Sequence, residues 1–95
     1  MIQHIQMTPS EYRKAQQAIR NFGRQYGLPA STARKVFQQL IDTTWDRAWQ
    51  PGNLQAQVNW QQYFPADRAP TVEEYIVTVA RELQAGREPP HLLGA

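Results

Sequence analysis

Residues 23–40 read GRQYGLPASTARKVFQQL, and this stretch decides how the chain folds because it predicts a tight corner between two helices. Gly27 accepts the positive φ that a helix-ending turn requires, and Gly23 places a small residue where a second helix could approach closely. Ala33 and Val36 follow six and nine residues after Gly27, and we expect them to lock the second helix onto the first. The stretch therefore predicts a helix-turn-helix corner.

The pattern on both sides of this corner predicts an all-α domain of three to four helices. A capping-box signature, Thr8 to Glu11 with Pro9 between them, begins the first helix, and apolar residues follow at spacings of three and four. A second signature, Thr71 to Glu74, begins the last helix. The predicted helices cover about 9–25, 30–49, 53–63 and 71–85, and residues 86–95 are expected to form an irregular tail.

One segment fits two structures. Residues 54–60 alternate between apolar and polar types, which is typical of a strand, but their Leu, Gln and Ala content favours a helix that Asn53 could cap. We favour the helix. A strand that paired with residues 2–7 would instead move the fold toward a winged-helix type.

The composition narrows the possible functions. A chain of 95 residues fits a single domain, and it contains no cysteine for a disulfide or a thiolate metal site. Its apolar runs are too short for a membrane span, and its start lacks the features of a signal peptide, so we expect a cytoplasmic protein. No phosphate loop, nucleophile motif or metal-ligand cluster is present in the sequence, and we therefore expect no enzyme activity, no cofactor and no metal.

The charges are unevenly distributed along the chain. Residues 1–50 contain seven Arg and Lys against three Asp and Glu, whereas residues 51–95 contain three against five. The first half thus carries a net charge of +4 and the second half −2, and no acid occurs from position 12 to position 41. This asymmetry indicates a polyanion as a partner.

Residues 20–41 resemble the generic helix-turn-helix of bacterial and phage repressors, although the chain has Gly rather than Ala at position 23. The resemblance implies that the second helix enters a groove of double-stranded DNA. On a helical wheel centred on Ala33, three polar residues lie opposite the expected core stripe and one lies at its flank. Their side-chain types suit base edges and phosphates. These candidate contacts are Ser31, Lys35 and Gln38, with Arg34 at the flank.

The first helix has a basic stripe of its own. Four polar residues spaced four, three and four apart lie opposite its apolar stripe, and three of them are arginines. A row of arginines about 16 Å long, at ~1.5 Å per residue, could follow a phosphate backbone. The alternative is an ordinary solvated helix face, in which arginine is a good helix former. The four residues are Arg13, Gln17, Arg20 and Arg24.

The tryptophans allow two interpretations. Trp45 and Trp49 fall on the outward side of the second helix on the same wheel. The C-terminal helices could cover them, because exposed tryptophan pairs are uncommon on monomers. Alternatively they could form, with Trp60, an exposed patch that binds a protein partner.

Two functions therefore follow from the sequence. The first is a small DNA-binding transcriptional regulator, expected to act as a homodimer because one module gives limited affinity. The second is a small adaptor or inhibitor, of the kind that phages and mobile elements encode. Such a protein would bind a larger protein or nucleoprotein machine through its tryptophans and arginines.

Overall fold

The computed structural model describes residues 6–65 and 68–93, and within these ranges it contains four α-helices and no strand. This confirms the predicted all-α class, and it makes residues 54–60 helical. The alternative strand at residues 2–7 lies mostly outside the described residues. None of the four helices combines the length and the apolar character that a membrane crossing needs. The helices are α1 (Pro9–Gln25), α2 (Ala30–Ala48), α3 (Leu54–Tyr63) and α4 (Val72–Gln84).

Both predicted capping boxes are present. The Thr8 hydroxyl accepts a hydrogen bond from the Glu11 backbone N–H at 3.1 Å, and the Glu11 carboxylate accepts one from the Thr8 N–H at 2.9 Å. Thr71 and Glu74 repeat this pair of bonds at the start of α4. Asn53 is different, because its side chain does not cap α3. Its amide instead donates to the backbone carbonyl of Arg47 at 2.7 Å and closes the turn between α2 and α3.

The corner between α1 and α2 is a helix-ending turn that requires glycine. Gly27 has φ +69°, and the N–H of Leu28 donates to the Gly23 carbonyl at 2.7 Å while the N–H of Gly27 donates to Arg24. A Cβ on Gly23 would lie 2.7 Å from the Leu28 carbonyl oxygen and 3.2 Å from the Ala33 Cβ. The departure from alanine at position 23 therefore has a steric reason, since the chain turns back directly over this residue.

The buried face of α2 includes Ala33, as expected, but not Val36, the other residue expected to lock the corner. Val36 is 45% exposed and Leu40 is 47% exposed, so the expectation that Val36 locks the corner is wrong. The buried face is centred on Ile41, because α3 and α4 pack against the side of α2 that carries this residue and Trp45. The buried residues of α2 are Ala33, Ile41, Trp45 and Ala48.

The core is an aromatic cluster at the junction of α2, α3 and α4. Trp60 is 1% exposed, and its ring contacts that of Trp45 with centroids 5.4 Å apart. Phe64 stacks on Tyr75 of α4 at 5.6 Å. The irregular segment after α4 adds Leu92, which is also buried. The C-terminal tail is thus part of the core although it forms no helix over residues 86–93.

Candidate nucleic-acid interface

The predicted basic stripe lies on the solvent face of α1. All four of its residues are exposed, because Ala15 and Ile19 turn the opposite side of the helix toward the core. Gln17 orders the middle of the stripe, since its carbonyl oxygen accepts a hydrogen bond from Arg20 Nη2 at 2.8 Å. Lys14 is exposed on the same helix and extends the basic surface, although the sequence prediction did not include it. We call Arg13, Lys14, Arg20 and Arg24 the α1 basic face.

Ion pairs divide the cations of the chain into two groups. Four arginines each form a salt bridge of 2.6–2.9 Å with a glutamate. The α1 basic face belongs to the other group, whose members have no ion pair with any residue in the ranges 6–65 and 68–93. Lys35 and Arg47 of α2 belong to this group too. The paired arginines are Arg34, Arg68, Arg81 and Arg87.

These ion pairs explain why the uneven charge of the sequence leaves an exposed positive surface on α1. Three glutamates of the second half pair with arginines, and Glu11, the acid closest to the α1 basic face in sequence, binds Arg81 of α4. The positive charge of α1 is therefore left without nearby compensation among the described side chains. Lys14 could have been found from the sequence, because it lies in the acid-free stretch from position 12 to position 41.

The four candidates on α2 separate into two pairs. Ser31 and Lys35 are exposed at the start of the helix, as predicted. Arg34 and Gln38 instead contact α4, so the prediction that both face a groove needs correction. The reason is the rotation of the buried face toward Ile41, which brings the flank of α2 against the start of α4.

Arg34 is held by a buried carboxylate. Its Nε and Nη2 donate to the two carboxylate oxygens of Glu73 at 2.8 and 2.7 Å, and Gln16 of α1 donates to the same carboxylate at 2.8 Å. The hydrogen bonds from Arg34 lower the pKa of Glu73, in spite of burial, which acts in the opposite direction. The network ties α1, α2 and α4 together at one point. Glu73 therefore joins three helices, in addition to placing a negative charge in the first turn of α4, where the helix dipole favours it.

Gln38 acts as a cap for α4 from outside that helix. Its carbonyl oxygen accepts the N–H of Val72 at 3.0 Å, and its amide donates to the Pro70 carbonyl at 3.0 Å and to Asp42 at 3.1 Å. These bonds satisfy backbone groups at a helix start, where intrahelical partners are missing. Three of the four hydrogen-bonding positions of the amide are used in this way, so little of Gln38 is left for a ligand.

The tryptophans do not form an exposed patch. Trp45 is 8% exposed and Trp60 is 1% exposed, so both belong to the core and the prediction that they contact a partner is wrong. Trp49 is 37% exposed and packs edge-to-face on Trp45 at 5.2 Å. Of the three, only Trp49 presents appreciable surface to solvent. Trp60 of α3 covers Trp45, as in the first of the two interpretations given above, whereas Trp49 keeps part of its surface.

Acid should destabilise the fold because its carboxylates are paired in the folded state. Hydrogen bonds from Arg81 and the Thr8 backbone lower the pKa of Glu11 from 4.5 to about 2, and Arg87 lowers the pKa of Glu82. A lowered folded-state pKa contributes stability that is complete above the unfolded pKa and is lost as the pH falls through the folded one. We expect the urea midpoint to be constant near neutral pH and to fall progressively between about pH 5 and pH 2.

A glutamine variant provides the control for this pH dependence. Glu11→Gln keeps a residue that can complete the capping box but removes the charge that binds Arg81. Its urea midpoint should be lower than that of the wild type at pH 7 and should fall less between pH 5 and pH 2. A wild-type midpoint that stays constant down to pH 2 would contradict the ion-pair argument.

The candidate interface thus consists of a cationic face on α1 and two exposed polar residues at the start of α2. No three His, Asp or Glu side chains within residues 6–65 and 68–93 are placed to hold a metal ion. The chemistry available at this surface is the binding of anions by guanidinium and ammonium groups. No protein-family model matches the chain, and no curated protein or solved structure matches it.

Proposed function

We propose that this protein is a small helix-turn-helix-like DNA-binding protein that acts as a transcriptional regulator. The observation that carries the proposal is the α1 basic face, whose four cations have no ion pair with a described residue. Exposed helix faces that serve only solubility usually mix both signs of charge, and this face does not. A DNA duplex, with one negative charge per ~1.7 Å of its axis, is a partner whose phosphates could neutralise these cations.

The length of the α1 basic face suits a phosphate backbone. Arg13 and Arg24 are eleven positions apart, which corresponds to about 16 Å at ~1.5 Å per residue. Contacts of this kind position a protein on DNA without reading its sequence. The proposal therefore assigns to α1 the affinity and its salt dependence, and not the choice of target site.

In this proposal the exposed start of α2 contacts the DNA bases and recognises their sequence. Ser31 and Lys35 are accessible there, whereas Arg34 would have to leave Glu73 to reach a base edge. So few base contacts give modest specificity, and a homodimer that binds two half-sites would increase it. Homodimerisation remains part of the proposal for this reason.

The test is the binding of a fluorescently labelled duplex of random sequence at several salt concentrations. If all four cations contact phosphates, log K should fall against log salt with a slope of about −3 to −4, since each contact contributes about −0.9. Replacing Arg20 and Arg24 with glutamine should weaken binding at every salt concentration. It should also make the slope less steep by about 2.

A second double variant distinguishes the effect of the α1 basic face on duplex binding from the effect of the protein's net charge. Arg47→Gln with Arg87→Gln removes the same two positive charges from other surfaces, because Arg47 lies near the end of α2 and Arg87 follows α4. It should bind nearly as well as the wild type. Equal weakening by both double variants would attribute the binding to net charge alone, and no binding by the wild type at low salt would contradict the proposal.

The second candidate function is a protein-binding adaptor or inhibitor, and one observation favours it. Four large apolar side chains on the outer surfaces of α2 and α3 are each exposed by more than 40%. Isolated exposed apolar residues are normal, but pairs at i,i+4 on two helices are a surface that a protein could cover. Failure of duplex binding with a stable fold would make this the leading function. The residues are Val36 and Leu40 on α2 and Leu54 and Val58 on α3.

A further inference from the structure

A second candidate binding site lies on the side of the molecule formed by the C-terminal half of α2, by α3 and by residues 91–93. It is an open pocket with a volume of about 290 Å³. This volume is near the lower end of the ~300–1,000 Å³ that is usual for small-molecule sites. It corresponds to about ten water molecules at their ~30 Å³ share of liquid volume, so the ligand it suits has roughly ten non-hydrogen atoms.

The wall of the pocket is mostly apolar. Leu40 contributes from α2, Ala56 and the buried ring of Trp60 from α3, and Leu92 from the segment after α4. The pocket gives a role to Leu40, which the fold leaves 47% exposed although it is a large apolar residue. These side chains would contact the apolar part of a ligand and exclude water from it.

One of the polar side chains that line the pocket carries a positive charge without an ion pair to a described residue. Arg47 lines it, and this arginine has no ion pair or side-chain hydrogen bond with any residue that the structure describes. Asn59 adds an amide whose oxygen accepts one hydrogen bond, from Gln55 at 2.9 Å, and whose NH2 group can donate to a ligand. His91 lines the rim and is bonded to Glu88 at 2.9 Å. Thr43, Thr44 and Asn53 also line the pocket, with oxygens that can accept hydrogen bonds. Among the described lining residues, Arg47 carries the charge that has no ion pair, and this charge suits an acceptor with negative charge.

We propose that this pocket binds a small amphipathic carboxylate, with its apolar body against Leu40 and Trp60 and its carboxylate on Arg47. A guanidinium matches a carboxylate with two parallel N–H···O bonds, and this geometry distinguishes an acid from an alcohol of similar size. The site does not depend on the proposed DNA binding. Its described lining residues come from α2, from Asn53 in the turn that follows, from α3 and from the C-terminal segment, and none of them comes from α1.

The probe is hexanoate, with hexan-1-ol as the neutral ligand of the same chain length. Titration of the full chain is followed by tryptophan emission, because Trp60 lines the pocket, and by amide chemical shifts of residues 54–63. Hexanoate should give saturable shifts that localise to the pocket, with a dissociation constant in about the millimolar range. Hexan-1-ol should bind at least about tenfold more weakly, since it offers no charge to the guanidinium.

Three variants decide which groups are responsible. Arg47→Met keeps the length of the side chain, and it should weaken hexanoate about ten- to a hundredfold while leaving hexan-1-ol unchanged. Ala56→Leu should weaken both ligands by filling the pocket. Arg24→Met, which removes one charge from α1, should change neither.

The proposal has outcomes that overturn it. One is equal binding of hexanoate and hexan-1-ol, which would make the site an apolar cavity without anion recognition. The others are an Arg47→Met variant that binds hexanoate as the wild type does, and shifts that do not saturate or do not localise to the pocket. Circular dichroism of each variant verifies that it retains the helical fold, and the exposure of Arg47 makes this the expected result.

Discussion

Replacing Trp60 with alanine should lower the free energy of unfolding by about 3–5 kcal/mol. The side chain is 1% exposed and its ring contacts those of Trp45, Phe64 and Tyr75. Removing it leaves a cavity at the junction of three helices, which cannot close unless α3 moves toward α2 and α4. Since small domains are stable by only about 5–15 kcal/mol, this single change removes a large part of the total.

The measurement is urea unfolding followed by circular dichroism, together with the midpoint of thermal unfolding. A loss of this size should lower the thermal midpoint by about 15 °C or more in a domain of this length. The matched control is Trp49→Ala, which removes the same side chain from a position that is 37% exposed. It should cost less than half as much, and equal losses from the two variants would contradict the placement of Trp60 at the centre of the core.

Replacing Gly23 with valine should destabilise the fold by about 3 kcal/mol. The first atom of any side chain at this position would lie 2.7 Å from the Leu28 carbonyl oxygen, which is closer than a carbon and an oxygen can approach without displacement. Because that oxygen belongs to the backbone of the corner, the chain itself would have to move. The hydrogen bond from the Leu28 N–H to the Gly23 carbonyl would be disturbed as well.

The alanine variant makes the steric argument sharper. In an unconstrained helix Gly→Ala stabilises by about 1 kcal/mol, so a destabilising Gly23→Ala shows that contact outweighs helix propensity. Urea unfolding of both variants, with Asn21→Val as the exposed control on the same helix, measures the difference. Asn21→Val should change the stability by less than about 0.5 kcal/mol. A Gly23→Ala variant more stable than the wild type would contradict the close approach.

The helices were predictable because their ends are defined locally. Thr8 with Glu11, and Thr71 with Glu74, cap backbone groups within one turn of themselves, so the chain around them is sufficient to define the start. Gly27 and Gly86 end α1 and α4 with positive φ for the same local reason. The solvent face of α1 was equally predictable, since this helix has one strongly apolar side and one polar side.

The face of α2 was not predictable, because neighbours contact it on more than one side. Leu40 and Val36 lie closer to Ala33 on the helical wheel than Ile41 and Trp45 do, and nothing in the local sequence shows that the second pair is the one covered. The partner of Arg34 is Glu73, 39 positions away, and that of Gln38 is the start of α4. Such pairings depend on how the helices pack, and periodicity along one helix contains no information about them.

The sequence by itself determined α1, α2 and α4, the glycine corner and the positive charge of α1, since each depends on residues within a few turns of one another, whereas residues 54–60 also fitted a strand. Only the tertiary structure decided which cations keep their charge unpaired and which tryptophans are buried. The physical reason is that long-range ion pairs and core packing are set by how α2 packs against α3 and α4, which buries Trp45 and Trp60 and ties Arg34 and Gln38 to the start of α4.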